Sequence, residues 1–190
     1  MKTISIASCL WLLAGSSQVY SVVENSYDGV SLKLPNRIDY SVSLTTSGQP
    51  TVAELAQIAA AGYDRVIFLA FTNHSKAIAH EDEIVEGLGL QFIHIPVDWE
   101  SPTLADFTAF TAVMQTHSGG RTLVHCEVNF RASVFGFLYR VLYEGADIDD
   151  AMSLMHSIWV PNDTWETFIA RVMSDKGVDY HPLYPSSTRY

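Results

Sequence analysis

A strand, a short loop and a helix that follow one another near residue 126 constrain the fold of this chain more than any other segment. The run 121–124 is typical of a buried strand, and the polar stretch His125–Ser133 follows it directly. Beyond that stretch, apolar residues recur at helical spacing, at positions 134, 137, 138, 141 and 142. A loop between a strand and a helix N-terminus directs several backbone N–H groups to one point, which is a ready anion site.

Two reactive side chains bracket this loop. Cys126 stands at its start and Arg131 at its end. The helix dipole and the guanidinium both favour a thiolate over a thiol, so a site that binds an oxyanion would also activate a nucleophile. The predicted anion-binding residues that follow the cysteine are Glu127, Val128, Asn129, Phe130 and Arg131.

The segment resembles the signature loop of the cysteine-dependent protein tyrosine and dual-specificity phosphatases, His-Cys-x5-Arg-Ser/Thr. In that family the cysteine attacks phosphorus, the arginine binds the phosphoryl oxygens, and the hydroxyl after it helps the thiolate to leave. The resemblance implies these roles for Cys126, Arg131 and Ser133, and a supporting role for His125 in orienting the loop. Ser133 is displaced by one position, because Ala132 directly follows the arginine.

The loop is one residue shorter than that signature. Asn129 stands where the family usually has glycine, and Asn is the next most tolerant residue of a positive φ. In length the loop is similar to the sulfurtransferase (rhodanese) cradle, which binds a group smaller than phosphate. Glu127 adds a negative charge that opposes both thiolate and phosphate unless its side chain faces solvent.

Phosphoryl transfer to cysteine leaves an alkoxide or phenoxide that needs a proton, and a carboxylic acid over the pocket can supply it. The phosphatase family carries such an aspartate on the loop after the preceding strand. Asp98, followed by Trp99 in a loop bounded by prolines, matches that placement and is predicted to be the general acid. Glu100 is the alternative acid. His74, on another converging loop, is expected to be a surface residue.

The N-terminus, residues 1–21, is predicted to be a secretory signal peptide, because Lys2 is followed by an apolar stretch and then by small and polar residues. Residues 22–190 would then form one phosphatase-like domain, exported to the periplasm or secreted. Removal of the signal takes Cys9 with it, so Cys126 would be the single cysteine and no intramolecular disulfide could form. The alternative is an uncleaved N-terminal helix.

The formal net charge of −10 speaks against a nucleic-acid partner or a broad anionic membrane surface. The apolar N-terminal stretch is short for a membrane span, and no stable membrane insertion is expected after signal removal. The expected ligand is a phosphorylated substrate or another oxyanion, drawn in by a local positive site. The histidines show no metal-ligand spacing, so neither a metal nor another cofactor is predicted.

The remaining segments alternate between strand and helix patterns. Strands are predicted over 38–44, 66–71, 90–95 and 121–124. Helices are predicted after the capping pairs Thr51/Glu54 and Thr103/Asp106, and over 77–88. Residues 22–36 are expected to be a loose, irregular lead-in. The pattern predicts a single α/β domain with a central, mostly parallel sheet flanked by helices, phosphatase-like, in which the loops at the carboxyl ends of the strands converge.

Three functions fit the sequence. The first is an exported phosphatase that acts through a phosphocysteine on Cys126. The second is a sulfurtransferase-like enzyme in which Cys126 carries a persulfide; the short loop favours it, whereas His125 and the loop of Asp98 oppose it. The third is a catalytically silent module of the phosphatase fold that holds an anion or a partner. Retention of both Cys126 and Arg131 argues against complete loss of activity.

Overall fold

The computed structural model describes residues 32–116 and 119–182, so the predicted signal peptide at 1–21 lies outside the described residues. In chain order the strands are β1 (Ile38–Asp39), β2 (Leu44–Ser47), β3 (Arg65–Phe68), β4 (Gln91–His94) and β5 (Thr122–His125). The helices are α1 (Val52–Ala60), α2 (Glu81–Gly87), α3 (Leu104–Gln115), α4 (Phe130–Glu144), α5 (Ile148–His156) and α6 (Asp163–Asp175).

The strands form one sheet in the order β1-β2-β5-β3-β4, in which β1 alone of the described strands runs antiparallel to its neighbour. The last residues of the four parallel strands stand side by side in one row: Ser47, His125, Phe68 and His94. Because the carboxyl ends of parallel strands share an edge, the loops after them meet there, and the loop after β5 lies in the middle. The predicted α/β domain with a mostly parallel sheet is confirmed.

Helices cover both faces of the sheet. On one face, α3, α4, α5 and α6 pack into the larger core around Phe110, Phe135 and Trp165. On the other face, α1 and α2 pack through Leu55 and Val85 into a smaller core. Strands β3 and β5 are buried along their whole length, as expected for inner parallel strands covered on both sides.

The helix that follows the cysteine loop lies very close to the sheet at one point. A Cβ atom on Gly136 of α4 would lie 2.6 Å from the Tyr40 ring and 2.8 Å from the Thr46 methyl group. Glycine therefore allows the α4 backbone to approach β2, which fixes where the N-terminus of α4 points.

The two predicted capping boxes are confirmed. Thr51 accepts a hydrogen bond from the Glu54 N–H at the start of α1, and Thr103 accepts one from the Asp106 N–H at the start of α3. In both pairs the acidic side chain accepts in return from the capping residue's N–H. Because the hydrogen bonds of a capping box depend only on two residues three positions apart, these two helix starts could be predicted from the sequence.

Two predicted segments, 38–44 and 77–88, differ in the structure. The strand predicted over 38–44 is a hairpin, because Tyr40 N donates to Leu44 O (2.9 Å) and Val42 lies exposed in the turn. The helix predicted over 77–88 begins only at Glu81, since His80 before it has a left-handed φ of 56°. None of the helices described is long and apolar enough to span a membrane.

The lead-in is irregular but not loose over its described residues. Leu32 and Leu34 are buried in the smaller core, and Pro35 O accepts a hydrogen bond from Gly48 N at 2.7 Å. The apolar pair and this bond fix the chain before β1 against the segment that follows β2.

Candidate active site around Cys126

The loop after β5 curves between the sheet and the start of α4, and residues 126–131 are called the cradle from here on. Cys126 is fully buried at its start, and its N–H donates to Ser47 O at 3.3 Å. Asn129, also fully buried, has a φ of 71° and immediately precedes α4. A left-handed residue at this point reverses the chain, so the loop closes on itself and leads into the helix.

The backbone carbonyls of the loop are held from outside. Glu127 O accepts from Gln49 N at 3.2 Å, and Val128 O accepts from the Asn36 side chain at 3.0 Å. With these carbonyls held outward, the neighbouring N–H groups are left for a ligand. Four of them donate no hydrogen bond within residues 32–116 and 119–182, those of Glu127, Val128, Phe130 and Arg131. Together with the N-terminal end of the 15-residue helix α4, they have the arrangement and the partial positive charge that an anion-binding site needs.

Two asparagines exchange hydrogen bonds across this cradle. The Asn129 side chain donates to Asn36 O, and the Asn36 side chain donates to Val128 O. Asn36 also has a positive φ, 49°. The exchange ties the left-handed turn of the loop to the segment before β1, so the asparagine does more than replace the glycine of the family signature.

Arg131 lies in the first turn of α4 and reaches the loop that follows β4. Its Nε donates to Val97 O at 3.1 Å, and its guanidinium carbon lies 5.4 Å from the centre of the Trp99 ring. Its two terminal nitrogens make no hydrogen bond or ion pair with any described residue. The guanidinium is thus oriented by the protein while its fork stays available for two oxygens of an anion.

Asp98 lies between two anchored residues on that loop. Val97 O accepts from Arg131, and Trp99 O accepts from Trp165 Nε1 at 3.1 Å. The Asp98 side chain is exposed, and its Oδ1 accepts from Glu100 N at 2.8 Å. The structure therefore brings residues 96–102, called the acid loop from here on, against Arg131. The Asp98 carboxylate itself makes no hydrogen bond to the cradle in the described chain. Glu100 is exposed as well.

His125 is buried behind the cysteine. Its ring stacks on Phe68 at 4.7 Å, and its Nε2 lies 3.2 Å from Glu81 Oε1, at ion-pair distance but without the alignment of a hydrogen bond. The buried Glu81 carboxylate also accepts from Gln49 Nε2 at 2.9 Å. These contacts link the last residue of β5 to α2 and to the segment after β2, and so brace the base of the cradle.

Ser133 is buried in the first turn of α4. Its Oγ donates to Phe130 O at 3.0 Å and accepts from Trp159 Nε1 at 3.1 Å. The described part of the chain shows no hydrogen bond between this hydroxyl and Cys126. The hydroxyl proton is directed at the helix backbone, and the role of Ser133 toward a leaving thiolate stays a prediction.

His74 is half-buried, whereas a surface position was expected. Burial lowers the pKa of His74, the charge of Glu127 opposes that shift, and the charge of Arg131 reinforces it. The His74 ring lies 5.9 Å from the Phe68 ring, on which His125 also stacks. A cavity of about 610 Å³ next to it is lined by His74, Glu81 and His94 but by no residue of the cradle, so it is a neighbour of the anion site.

Sequence reasoning missed several residues of the site: Asn36, Gln49, Glu81, Trp159 and Trp165. Gln49 stands in the Ser-Gly-Gln-Pro segment at the end of β2, and this position at the carboxyl end of a parallel strand was the signal that could have found it. The others reach the site through contacts that span many residues, such as the 93 positions between Asn36 and Asn129.

No known family model matches the sequence, and no curated protein does. Solved structures do. The protein called "Putative phosphatase (DUF442)" from Shewanella putrefaciens is 28% and 30% identical in two crystal structures, with TM-scores of 0.69 and 0.67. The matches cover 75% of this chain and 94% and 91% of that chain.

More distant structures share the fold. TpbA of P. aeruginosa is 17% identical with a TM-score of 0.59, covering 75% of this chain and 89% of that chain. The core catalytic domain of the PP-IP phosphatase SIW14 from S. cerevisiae, in complex with citrate, is 12% identical with a TM-score of 0.59, covering 77% and 96%.

The sheet order, the buried cysteine and the amide-lined loop before α4 define a cysteine-dependent phosphatase fold. The match at 30% identity over nine-tenths of the Shewanella protein adds the sequence relationship. The chain belongs to the cysteine-dependent protein tyrosine and dual-specificity phosphatase-like family, and it is a hydrolase of that kind.

Proposed function

We propose that this protein hydrolyses phosphate monoesters through a phosphocysteine intermediate on Cys126. In this proposal Arg131 and the loop N–H groups bind the phosphoryl oxygens, and Asp98 is the general acid. The observation that carries it is the cradle itself. Backbone N–H groups and a guanidinium fork that have no partner among the described residues lie at the N-terminus of α4, beside a buried thiol.

In the first step, the Cys126 thiolate attacks phosphorus as the bond from phosphorus to the leaving oxygen breaks. The electron pair of that bond stays on the leaving oxygen, which takes a proton from the Asp98 carboxyl group. Negative charge on the transferred group is stabilised by Arg131 and by backbone N–H groups that need no rearrangement, because the protein already holds them in place.

In the second step, water attacks phosphorus and gives a proton to the Asp98 carboxylate. The sulfur–phosphorus bond breaks, its electron pair returns to Cys126 as thiolate, and inorganic phosphate leaves. The Ser133 hydroxyl donates its hydrogen bond to Phe130 O. In this proposal the negative charge of the departing thiolate is therefore stabilised mainly by the N-terminus of α4 and its N–H groups.

The test is hydrolysis of phenyl phosphate by the protein under reducing conditions, compared with the Cys126→Ser and Asp98→Asn variants. We expect the first change to abolish activity and the second to lower kcat/KM by roughly 10²- to 10⁴-fold, the usual worth of a general acid. Glu100→Gln is the matched control, because it removes the neighbouring carboxylate, and it should leave kcat/KM unchanged. No hydrolysis by the wild type, with the thiol confirmed reduced, would overturn the proposal.

A second candidate is a silent anion- or partner-binding module, which the engaged Ser133 hydroxyl favours. It predicts retention of inorganic phosphate or vanadate by the Arg131 site without turnover. The sulfurtransferase alternative predicts transfer of sulfur from thiosulfate to cyanide, abolished by Cys126→Ser. Measuring all three activities on one preparation separates the three functions.

We also propose that the protein acts outside the cytoplasm, on the basis of the signal-like pattern at residues 1–21. The test is fractionation of expressing cells with the mass of the mature chain determined. A mature chain that keeps its first residues and stays with the cytosol would contradict this proposal.

A further inference from the structure

We propose that Trp165, a residue of α6, is the positioning residue that holds the acid loop over the cradle. This inference rests on the proposed function, in which Asp98 protonates the leaving group. Within the described residues, no hydrogen bond or ring contact joins Trp165 to the loop of Cys126 or to the Asp98 side chain. It acts through the backbone of Trp99, the residue that follows the acid.

The acid loop is fastened on both sides of Asp98. Before it, Val97 N donates to Leu69 O at 3.0 Å and Val97 O accepts from Arg131 at 3.1 Å. After it, Trp99 O accepts from Trp165 Nε1 at 3.1 Å. The first fastening is part of the sheet edge and the cradle. The second comes from a helix that begins more than 60 residues later in the chain.

Trp165 is itself held rigidly. It is fully buried, and its backbone N–H donates to the Asn162 side chain at 3.1 Å at the start of the helix. Its ring lies 5.3 Å from the Trp99 ring and 5.5 Å from the Phe168 ring. A donor fixed by this packing determines where the Trp99 carbonyl lies, and a buried indole N–H that lost this acceptor would cost free energy.

Asp98 depends on this fastening because its own side chain has little support. The carboxylate is exposed, and its one hydrogen bond in the described chain is from Glu100 N, two residues further along the same loop. Removing the Trp165 bond therefore loosens the backbone that follows Asp98, although the Trp99 ring keeps its packing and Val97 stays on the sheet. A displacement of about 1 Å at the acid is enough to reduce protonation of the leaving group strongly.

The experiment is the Trp165→Phe variant with two substrates, phenyl phosphate and p-nitrophenyl phosphate. Phenolate needs the proton from Asp98 far more than the stabilised nitrophenolate does. Loss of acid positioning should therefore lower the ratio of kcat/KM for phenyl phosphate to kcat/KM for p-nitrophenyl phosphate. We expect this ratio to fall roughly 10-fold in Trp165→Phe, in the same direction as in Asp98→Asn. Both substrates report on the same folded molecules, so the ratio does not depend on how much of the variant folds.

Trp159→Phe is the matched control. Its ring lies 5.5 Å from the Trp99 ring, close to the distance of Trp165, but its N–H donates to Ser133 Oγ. Because Trp159 also stacks on Phe130 at 4.5 Å, this variant should lower the kcat/KM values of both substrates together. The acid loop bond stays intact, so the ratio of the two values should stay at the wild-type value. An unchanged ratio in Trp165→Phe, or an equal fall in both tryptophan variants, would overturn the proposal.

A second measurement does not depend on activity or on any variant. In the ¹⁵N-labelled wild type, the Trp165 indole N–H should exchange with solvent more slowly than that of Trp99, whose indole N–H donates no hydrogen bond within the described residues. Equal exchange would show that the fastening is open in solution and would refute the inference. If the wild type hydrolyses neither substrate, the proposed function fails and this exchange comparison still decides whether the fastening exists.

Discussion

Replacing Asn129 by glycine and by alanine tests the left-handed turn of the cradle. Both changes remove the side-chain donation to Asn36 O, worth about 1 kcal/mol. The Asn129 Oδ1 has no partner in the described chain, so its loss adds no broken bond. At a φ of 71°, alanine also costs about 1–2 kcal/mol, of which roughly 0.5 kcal/mol is offset by the greater freedom of glycine in the unfolded chain.

The expected free energies of unfolding are therefore lower than wild type by about 1 kcal/mol for Asn129→Gly and by about 2 kcal/mol for Asn129→Ala. Urea titration followed by tryptophan fluorescence measures both free energies of unfolding. Because the two variants differ by one methyl group, the difference between them reports the cost of a side chain at this φ. An alanine variant as stable as the glycine variant would show that residue 129 is not held in the left-handed conformation, and the account of how this shortened loop closes would fail.

Three further changes test other parts of the molecule. Arg131→Lys keeps the charge but removes the guanidinium fork, and should lower kcat/KM for phenyl phosphate about 10²- to 10³-fold; full activity would contradict bidentate binding. Gly136→Ala places a Cβ 2.6 Å from the Tyr40 ring and should lower the free energy of unfolding by about 1–3 kcal/mol in a urea titration, and a neutral effect would contradict the close packing. Burial lowers the pKa of His74 below 6.5, so the unfolded chain binds more protons and stability is lost as the pH falls below 6.5; His74→Asn should lose less in acid, by thermal melting, and an identical pH profile would contradict this.

The sequence predicted the parts of the fold that depend on local patterns. The apolar run before Cys126 and the helical spacing after it gave β5 and α4, and the Thr51 and Thr103 capping boxes gave two helix starts. Local patterns also misled. Alternation over 38–44 fits a strand, but the turn bonds around Leu44 O fold that segment into a hairpin.

Candidate site residues could be chosen from the sequence only where their proposed chemistry lies within one motif or within one loop that resembles the family's. Cys126, Arg131 and Asp98 could be chosen from residue type and order. The residues that hold them could not, because Trp165 and Glu81 contribute through contacts that exist only after the helices pack. A tryptophan at helical spacing is most simply a core residue, and Trp165 is one; nothing in its spacing shows that its N–H points at a loop.

The exchange between Asn36 and the cradle has a consequence for where the catalytic unit begins. A shortened chain that started at Ile38 would keep every strand and helix described here, but it would lose the buried Leu32 and Leu34 from the smaller core. It would lack the donor to Val128 O and the acceptor for the Asn129 side chain. In such a protein we expect the loop of the anion site to be held less rigidly, so the functional domain begins before the first strand.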